Sequence, residues 1–315
     1  MDIKGTASII KQIFADSFEG FSDNKVTKLS GSLAYSTVFS MGPLLVVLIS
    51  LCGIFLGQQA VENKIHHMLA GFLGSNTAME LQDIIKKAAV STKNGIAIIV
   101  GSVALVIGAT SIFSEIQDSI NDIWGIKPKP KRSWLKMLQN RFLSFSLIIG
   151  LGFLMLVSLV ITSLIEGFSH RLQVYFAHTA VIVFYIIDQL LTVSIVTLIF
   201  AVIFKVLPDA KIRWKDVIVG ALVTTFLFML GKLAISFYIS KSNIGGTYGA
   251  MGSLVVLLLW VYYSSVILYF GAEFTKAYAM KYGAEIKPAP YAVTTKQIEV
   301  ETGNASVQEK EKITK

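Results

Sequence analysis

The sequence predicts an all-α polytopic membrane protein, a bundle of six transmembrane helices with an amphipathic N-terminal helix and a helical outer loop. Three observations predict this class. Of the 315 residues, 54% are hydrophobic and 15% are charged, whereas soluble domains carry about 25% charged residues. Uncharged apolar stretches recur along the chain. Lys and Arg concentrate on alternate connections between those stretches.

The clearest span is the last hydrophobic stretch. From Gly249 to Ala272 the chain has no charged residue. At about 1.5 Å per residue this run makes a helix of ~36 Å, which is enough to cross a ~30 Å hydrocarbon core with some tilt. Gly249 and Gly252, next to Tyr248, favour close packing of the start of this helix, and Glu273 follows its end.

Six segments have the length and apolar composition of a transmembrane helix. They are about Leu29–Leu56, Gly95–Ser114, Phe142–Ile165, Ala180–Val206, Val217–Ile239 and Gly249–Ala272. In the first, Pro43 removes a helical hydrogen bond, so we expect a kink or break there. In the second, small residues at helical spacing indicate either a helix-packing stripe or, as the alternative, a polar path.

The segments outside the spans define the predicted domains. Residues Ile3 to Phe21 have a helical apolar period but are too polar to span, so they predict either an interfacial helix or a helix packed under the bundle. Two amphipathic patterns in Gly57–Asn94 predict a helical outer lid. From Glu285 onward no apolar period is visible, which predicts disorder. The domains are therefore an interfacial segment (1–28), the transmembrane domain (29–280) and a disordered cytoplasmic tail (281–315).

The distribution of positive charge predicts the orientation. Twenty-one of the 28 Lys and Arg residues fall on the side of the N-terminus, six fall on the other side, and Lys232 lies inside a span. By the positive-inside rule both termini are cytoplasmic, which requires an even number of spans. The basic run Lys127–Arg132 lies on the same inner side, where it suits anionic lipid headgroups.

Two charges lie inside predicted spans. Asp188 and Lys232 each sit about eight residues from the outer end of their helices, which is about 12 Å below the outer surface. A lone charge near the bilayer centre costs roughly 2.5–3.5 kcal/mol on insertion scales. We hypothesise that the two side chains pair or share a small polar cavity. The alternative is that Lys232 extends outward to the interface and Asp188 reaches a loop amide.

A second polar set lies at the inner ends of the spans. It comprises Glu115, Asp118, Asn121 and Glu273, with Arg141, Lys205 or Arg213 as potential counter-charges. One interpretation is a structural ion network, and the other is a gate or a proton-linked carboxylate.

The sequence argues against enzymatic and metal chemistry. Cys52 is the only cysteine, which excludes disulfides within the chain and cysteine-based metal clusters. His66 and His67 are adjacent, so they cannot form an i, i+4 metal pair on a helix. All four histidines fall on the predicted outer side, away from cellular RNA. We therefore expect no catalytic residues, no metal, no cofactor and no nucleic-acid partner.

The chain resembles the YihY/BrkB-like bacterial inner-membrane envelope proteins, whose members were formerly mislabelled ribonuclease BN. The matching segments, in order, are Leu33–Leu44, Gln117–Gly125, Leu207-Pro208, Arg213–Asp216 with Gly220, Lys232–Tyr238, Tyr248–Gly252, Leu259-Trp260 and Gly271–Glu273. The resemblance implies a six-span inner-membrane protein with cytoplasmic termini. Envelope integrity, serum resistance and lipid or solute transport are the functions suggested for that family.

Two functional hypotheses follow. A transporter or exporter of a lipid or amphipathic solute predicts a cavity or lateral groove near Asp188 and Lys232. A non-transporting envelope scaffold predicts a closed bundle that tolerates neutral substitutions at both charges. Glycine-rich helix faces suit contacts between copies as well as within one, so a homo-oligomer is a further expectation.

Overall fold

The structure is a computed structural model that describes residues 3–40, 95–129, 179–241, 252–282 and 285–295. Almost all of these residues are helical. The helices are α1 (Ile3–Asp23), α2 (residues 26–40), α3 (Gly95–Ile123), α4 (Thr179–Val206), α5 (Trp214–Lys241) and α6 (Gly252–Lys281). Four short strands lie outside the helices: β1 (Ile126–Pro128), β2 (Ala210–Lys211), β3 (Lys287–Pro288) and β4 (Ala292–Thr294).

Three of these helices are long and apolar enough to cross a membrane, through Gln189–Val206, Trp214–Ile235 and Leu254–Lys281. They coincide with the predicted fourth, fifth and sixth spans. Helix α3 covers the predicted second span, and α2 covers the start of the first. The predicted third span, Phe142–Ile165, lies outside the described residues, as do Pro43 and the outer loop. The helical class is confirmed, and the count of six transmembrane helices stays a prediction.

Helix α1 packs along the C-terminal half of α6 in the antiparallel direction. Phe14 lies against Phe274 and Phe18 against Phe270, with ring centroids 5.1 and 5.0 Å apart. A two-residue turn at Asn24-Lys25 then leads into α2, and Lys25 has a φ of 51°. Of the two sequence-based interpretations of this helix, packing against the bundle is the one that the structure contains.

Helices α5 and α6 approach each other closely through two reciprocal glycine–threonine contacts. A Cβ atom built on Gly220 would lie 1.9 Å from Thr275 Oγ1, and one built on Gly271 would lie 2.0 Å from Thr224 Oγ1. Each threonine hydroxyl donates to the glycine carbonyl four residues earlier on its own helix, at 2.7 Å in both helices. Each hydroxyl is thereby satisfied inside a membrane, and each glycine makes room for the threonine of the partner helix.

The buried core of the described residues lies at one end of the bundle, where α2 and α5 begin and where α3, α4 and α6 end. We call this the polar end, because polar side chains are buried there as well. Its apolar members come from all five of these helices and from the connections after α3 and α4: Val26, Leu33, Ile116, Ile120, Ile123, Trp124, Ile126, Phe200, Phe204, Leu207, Ile212, Val217, Ala221, Leu268, Tyr269 and Ala272 among others. The arrangement agrees with the alternating direction predicted for successive spans.

Apolar side chains are exposed along most of the length of α5. They recur every three or four residues and are Trp214, Ile218, Leu222, Phe226, Leu230, Leu233 and Phe237. An unbroken apolar stripe of this length on a helix suits contact with lipid or with other apolar helices.

The tail is a correction to the sequence-based prediction. Residues 281–315 are predicted to be disordered, yet α6 extends to Lys281 and residues 285–295 form two strands. Strand β3 pairs antiparallel with β2, and β4 pairs antiparallel with β1, with Lys127 opposite Val293. We call residues 285–295 the clasp, because they pair with the connection after α3 and with the connection after α4. The pairing partners are remote in sequence, so no local period announces these strands.

Candidate functional site

The buried polar network at the polar end is the candidate site, and Asp209 is its centre. Asp209 follows Pro208 in the connection between α4 and α5 and is 3% exposed. Its Oδ2 accepts a hydrogen bond from Asn121 Nδ2 at 3.0 Å, and its backbone N–H donates to Asn121 Oδ1 at 2.9 Å. This reciprocal pair of hydrogen bonds joins the last turns of α3 to the start of the connection between α4 and α5. It gives Asn121, which is 2% exposed, two partners.

The clasp is attached to the same aspartate. Tyr291 Oη donates to Asp209 Oδ1 at 2.9 Å, and the backbone N–H of Ala289 donates to the Asp209 carbonyl at 2.8 Å. The Lys129 N–H donates to the Tyr291 carbonyl at 2.7 Å. Asp209 therefore links α3, the α4–α5 connection and the clasp. The sequence analysis did not identify Asp209, although the two residues before it, Leu207 and Pro208, are among the segments that resemble the family.

Three acidic residues form a stripe on the last turns of α3, beyond the predicted second span. They are Glu115, Asp118 and Asp122. Desolvation, followed by repulsion from Asp122, Glu115 and Asp209, raises the pKa of Asp118 from 3.8 to about 6. Desolvation also raises the pKa of Asp122, against the opposing effect of Lys127. Asp118 nevertheless remains exposed on the protein surface, so its carboxyl group can exchange a proton with solvent.

We expect protonation of Asp118 to make stability depend on pH. Its pKa is higher in the folded protein than in the unfolded chain, so stability falls as the pH rises from about 4 to about 6. Asp118→Asn should therefore stabilise the protein at pH 7.5 by ~1 kcal/mol, a value reduced for solvent screening of an exposed group, and by less than half of that at pH 4.5. Thermal unfolding of both proteins in detergent measures this. Glu19→Gln, which removes an exposed carboxylate from α1, is the control, and an equal effect of Asp118→Asn at both pH values would contradict the expectation.

Glu273 is buried on α6, with 2% exposure. Its Oε1 accepts a hydrogen bond from Asn24 Nδ2 at 2.6 Å. Its Oε2 faces Gly20 of α1, since a Cβ atom built on Gly20 would lie 2.5 Å from this oxygen. The neighbouring turn of α6 contacts the end of α3: Lys276 Nζ donates to the Ile123 carbonyl at 2.7 Å, and Trp124 Nε1 donates to the Ala272 carbonyl at 3.0 Å.

The basic residues suggested as counter-charges have other partners. Arg213 makes a two-point ion pair with Asp216 in the first turn of α5, with Nε to Oδ2 at 2.9 Å. Lys205 donates to the Ile212 carbonyl and lies over the Trp214 ring, 5.5 Å from its centroid. Arg141 lies outside the described residues. Of the predicted inner-end set, Asn121 therefore bonds to Asp209 and Glu273 accepts from Asn24, rather than pairing with Lys205 or Arg213.

The structure leaves the predicted Asp188–Lys232 pair open. Asp188 lies in α4, but the structure does not describe its side chain. Lys232 lies on α5 and is exposed. A groove of about 430 Å³ lies between α5 and α6, and Lys232 follows one of its lining residues, Gly231, in the sequence. It is lined by Gly231, Ala234, Ile235, Tyr238, Leu259, Tyr262, Tyr263 and Val266. Tyr263 Oη donates to the Leu227 carbonyl at 3.2 Å.

Of the remaining predicted packing positions, the structure describes only Gly252. Gly252 is buried at the first position of α6, whereas Tyr248 and Gly249 lie outside the described residues. Within the described ranges, no three His, Cys, Asp or Glu side chains are grouped closely enough to hold a metal ion. The described site ties helix ends together through polar contacts.

Comparison with known proteins gives the family. The family model described as virulence factor BrkB matches residues 17–295, which ends at the last residue of the clasp. A protein named UPF0761 membrane protein from Aeromonas salmonicida is 28% identical over 81% of this chain and 84% of its own length. Proteins of the same name from Mannheimia succiniciproducens and Alteromonas mediterranea are 28% and 24% identical, each over 84% of this chain and over 89% and 87% of their own lengths. No solved structure matches. The chain is therefore a membrane protein that belongs to the BrkB family.

Proposed function

We propose that this protein transports a lipid or an amphipathic solute across the bacterial inner membrane and thereby supports envelope integrity. Both termini lie in the cytoplasm in this proposal, because Lys and Arg concentrate on that side of the predicted spans. The proposal includes no catalytic step and no cofactor.

The groove between α5 and α6 is the observation that carries the proposal. It has a volume of about 430 Å³ and is lined mainly by apolar and tyrosine side chains. Lys232 is next in sequence to the lining residue Gly231. Gly231, whose Cβ position falls on the Tyr263 hydroxyl, keeps the two helices close at this point. An apolar groove with tyrosine hydroxyls in its wall suits a molecule with an acyl chain and a polar group. A transporter of such molecules needs a path of this kind between helices.

The polar end provides elements that suit a gate. The inner part of α6 contacts the α1–α2 turn through Glu273 and Asn24, and it contacts α3 through Lys276 and Trp124. These hydrogen bonds accompany the apolar packing of α6 against α1 and α3. Each contributes on the order of 1–3 kcal/mol, which an arriving substrate can offset.

Anionic lipid headgroups are the proposed membrane partners of the polar end. Nine exposed basic side chains of the described residues lie there: Lys25, Lys28, Lys127, Lys129, Lys211, Arg213, Lys215, Lys281 and Lys287. Juxtamembrane Lys and Arg each gain about 1 kcal/mol next to an anionic leaflet. This distribution agrees with a cytoplasmic placement of the polar end.

We expect Lys232→Met to abolish transport in an inserted, folded protein. Proteoliposomes that contain the purified chain should move NBD-labelled phospholipid between leaflets at least tenfold faster than empty liposomes, measured by dithionite quenching. Lys232→Met should lose that acceleration, because it removes the only positive charge inside the predicted fifth span, one residue after the groove-lining Gly231. Lys241→Met, which neutralises an exposed lysine in the last turn of the same helix, is the matched control and should keep it.

The scaffold remains the second candidate, and the closely packed core of the polar end favours it. It predicts no lipid movement by the purified protein. It also predicts that Lys232→Met still restores detergent resistance to a strain that lacks the gene. Those two results together would replace the transport proposal.

A further inference from the structure

A cleft of about 310 Å³ lies between α1 and α6 at the polar end. It is lined chiefly by Asp16, Gly20, Glu273, Lys276, Met280 and Lys281. Lys281 Nζ donates to Gln12 Oε1 at one end of it, and Asn24 Nδ2 donates to Glu273 Oε1 at the other. The two hydrogen bonds close the ends, and the cleft between them is open along its side.

The two carboxylates of the cleft retain unused acceptor capacity. Glu273 is 2% exposed, but only its Oε1 receives a hydrogen bond from the described residues. Its Oε2 lies toward Gly20, at the wall of the cleft. Asp16 stands one helical turn before Gly20, about 6 Å along α1, and is exposed. Lys276, one turn further along α6, already places a positive charge near this buried carboxylate. Burying a carboxylate is costly, and a further cationic donor in the cleft would stabilise Glu273.

The two lysines of the cleft each have one identified partner. Lys276 Nζ donates to the Ile123 carbonyl, and Lys281 Nζ donates to Gln12. An ammonium group has three N–H donors, so two on each lysine remain for an anionic group. The cleft thus presents carboxylate acceptors and ammonium donors within one small volume.

We propose that this cleft binds a primary ammonium group carried next to a phosphate, as in a phosphoethanolamine headgroup. The ammonium lies between Asp16 and Glu273 Oε2 and donates to both, and the phosphate accepts from Lys276 and Lys281. A zwitterionic headgroup places its positive charge against the two acidic side chains and its negative charge against the two basic side chains. The volume is near the lower limit of small-molecule sites, which fits a headgroup rather than a whole lipid.

Other ligands fit the cleft less well. A quaternary ammonium has no N–H to donate to the carboxylates. An anionic headgroup without an ammonium has no donor for the two carboxylates, which would repel it. Two carboxylates supply too few oxygen ligands for a Ca²⁺ or Mg²⁺ site. The ammonium and the phosphate come either from a membrane phospholipid or from a soluble phosphoethanolamine, and binding is independent of whether the protein transports anything.

Native mass spectrometry of the full-length protein in detergent tests the site. The probes are phosphatidylethanolamine, phosphatidylglycerol and phosphatidylcholine with identical acyl chains, and water-soluble phosphoethanolamine as competitor. We expect at least tenfold tighter binding of phosphatidylethanolamine than of the other two lipids. Asp16→Asn and Lys281→Gln should each reduce that preference to less than threefold. Both residues are exposed, so these variants should fold, and Glu19→Gln on the same helix should keep the preference.

The possible outcomes distinguish a soluble ligand from a membrane lipid, and they also show when the proposal fails. Competition by phosphoethanolamine supports a soluble ligand of this class, and a lack of competition with the lipid preference intact supports a membrane lipid. Equal binding of the three lipids would overturn the proposal. A preference that survives both Asp16→Asn and Lys281→Gln would overturn it as well, because the lipid would then bind elsewhere.

Discussion

Replacing Gly271 by valine is expected to prevent stable packing of α5 against α6. A single added Cβ at this position would lie 2.0 Å from Thr224 Oγ1 and 2.8 Å from its Cγ2, far inside van der Waals contact. Both residues are buried, so neither can move aside without moving its helix. Overpacking usually costs ~1–3 kcal/mol and occasionally more. Valine adds two further methyl groups, so we expect at least ~3 kcal/mol here.

The resistance of the purified protein to unfolding by SDS, followed by circular dichroism, measures this effect. Gly31→Val is the matched control, since nothing lies within 4 Å of a Cβ on Gly31 in the described structure. A double-mutant cycle isolates the contact itself: Gly271→Ala should cost at least ~1 kcal/mol less when Thr224 is already glycine. If Gly271→Ala costs the same in both backgrounds, the glycine–threonine contact does not hold the two helices together.

The sequence contained the signals for the helices because the membrane imposes a simple rule. A span needs about 20 apolar residues with all backbone groups bonded internally, and that rule can be read locally. Helices α4, α5 and α6 agree with it. The alternating direction of the described helices was also predictable, because Lys and Arg mark alternate connections. The close contact between Gly220 and Thr275 was not predictable, because many glycines and threonines occupy similar positions in other predicted spans.

Only part of the candidate site could be predicted from the sequence. Asn121 and Glu273 are conspicuous as polar residues beside apolar spans, and both are buried in the network. Their partners, Asp209 and Asn24, lie in short connections where Asp and Asn are common for reasons of turn geometry alone. Tyr291 is remote from Asp209 along the chain, and only the fold brings them together.

The clasp was predicted wrongly because its stabilisation is not local. Residues 285–295 contain two prolines and alternate charged with apolar residues, which is typical of a disordered segment. Its order comes instead from backbone pairing with β1 and β2, and from Ile286 and Ala292 packed on the core. Amino-acid composition alone cannot predict that a segment pairs with strands that are only two or three residues long.

Ending the chain at Gly283 is therefore expected to open the polar end, although every predicted span is kept. The truncation removes β3, β4 and the Tyr291 hydroxyl that donates to Asp209. A hydrogen bond to a charged group contributes roughly 1.5–3 kcal/mol, and the buried carboxylate loses one of its donors. With the packing of Ile286 and Ala292 lost as well, we expect a total loss of about 2–4 kcal/mol. Unfolding in SDS should show this loss, and a chain that ends at Thr295 should show none.

A cysteine reporter distinguishes opening of the polar end from general destabilisation. Cys52 is the only native cysteine, so Ile126→Cys in a Cys52→Ser background gives a single thiol on β1, at a position that is 2% exposed. Ile126 lies opposite Thr294 of the clasp. Its labelling by a maleimide should accelerate at least tenfold in the Gly283 truncation and remain slow in the Thr295 truncation. Tyr291→Phe keeps both strand pairs but removes the bond to Asp209, so it should lower stability with little change in labelling. Slow labelling after loss of the whole clasp would mean that the helix ends close this end of the protein without it.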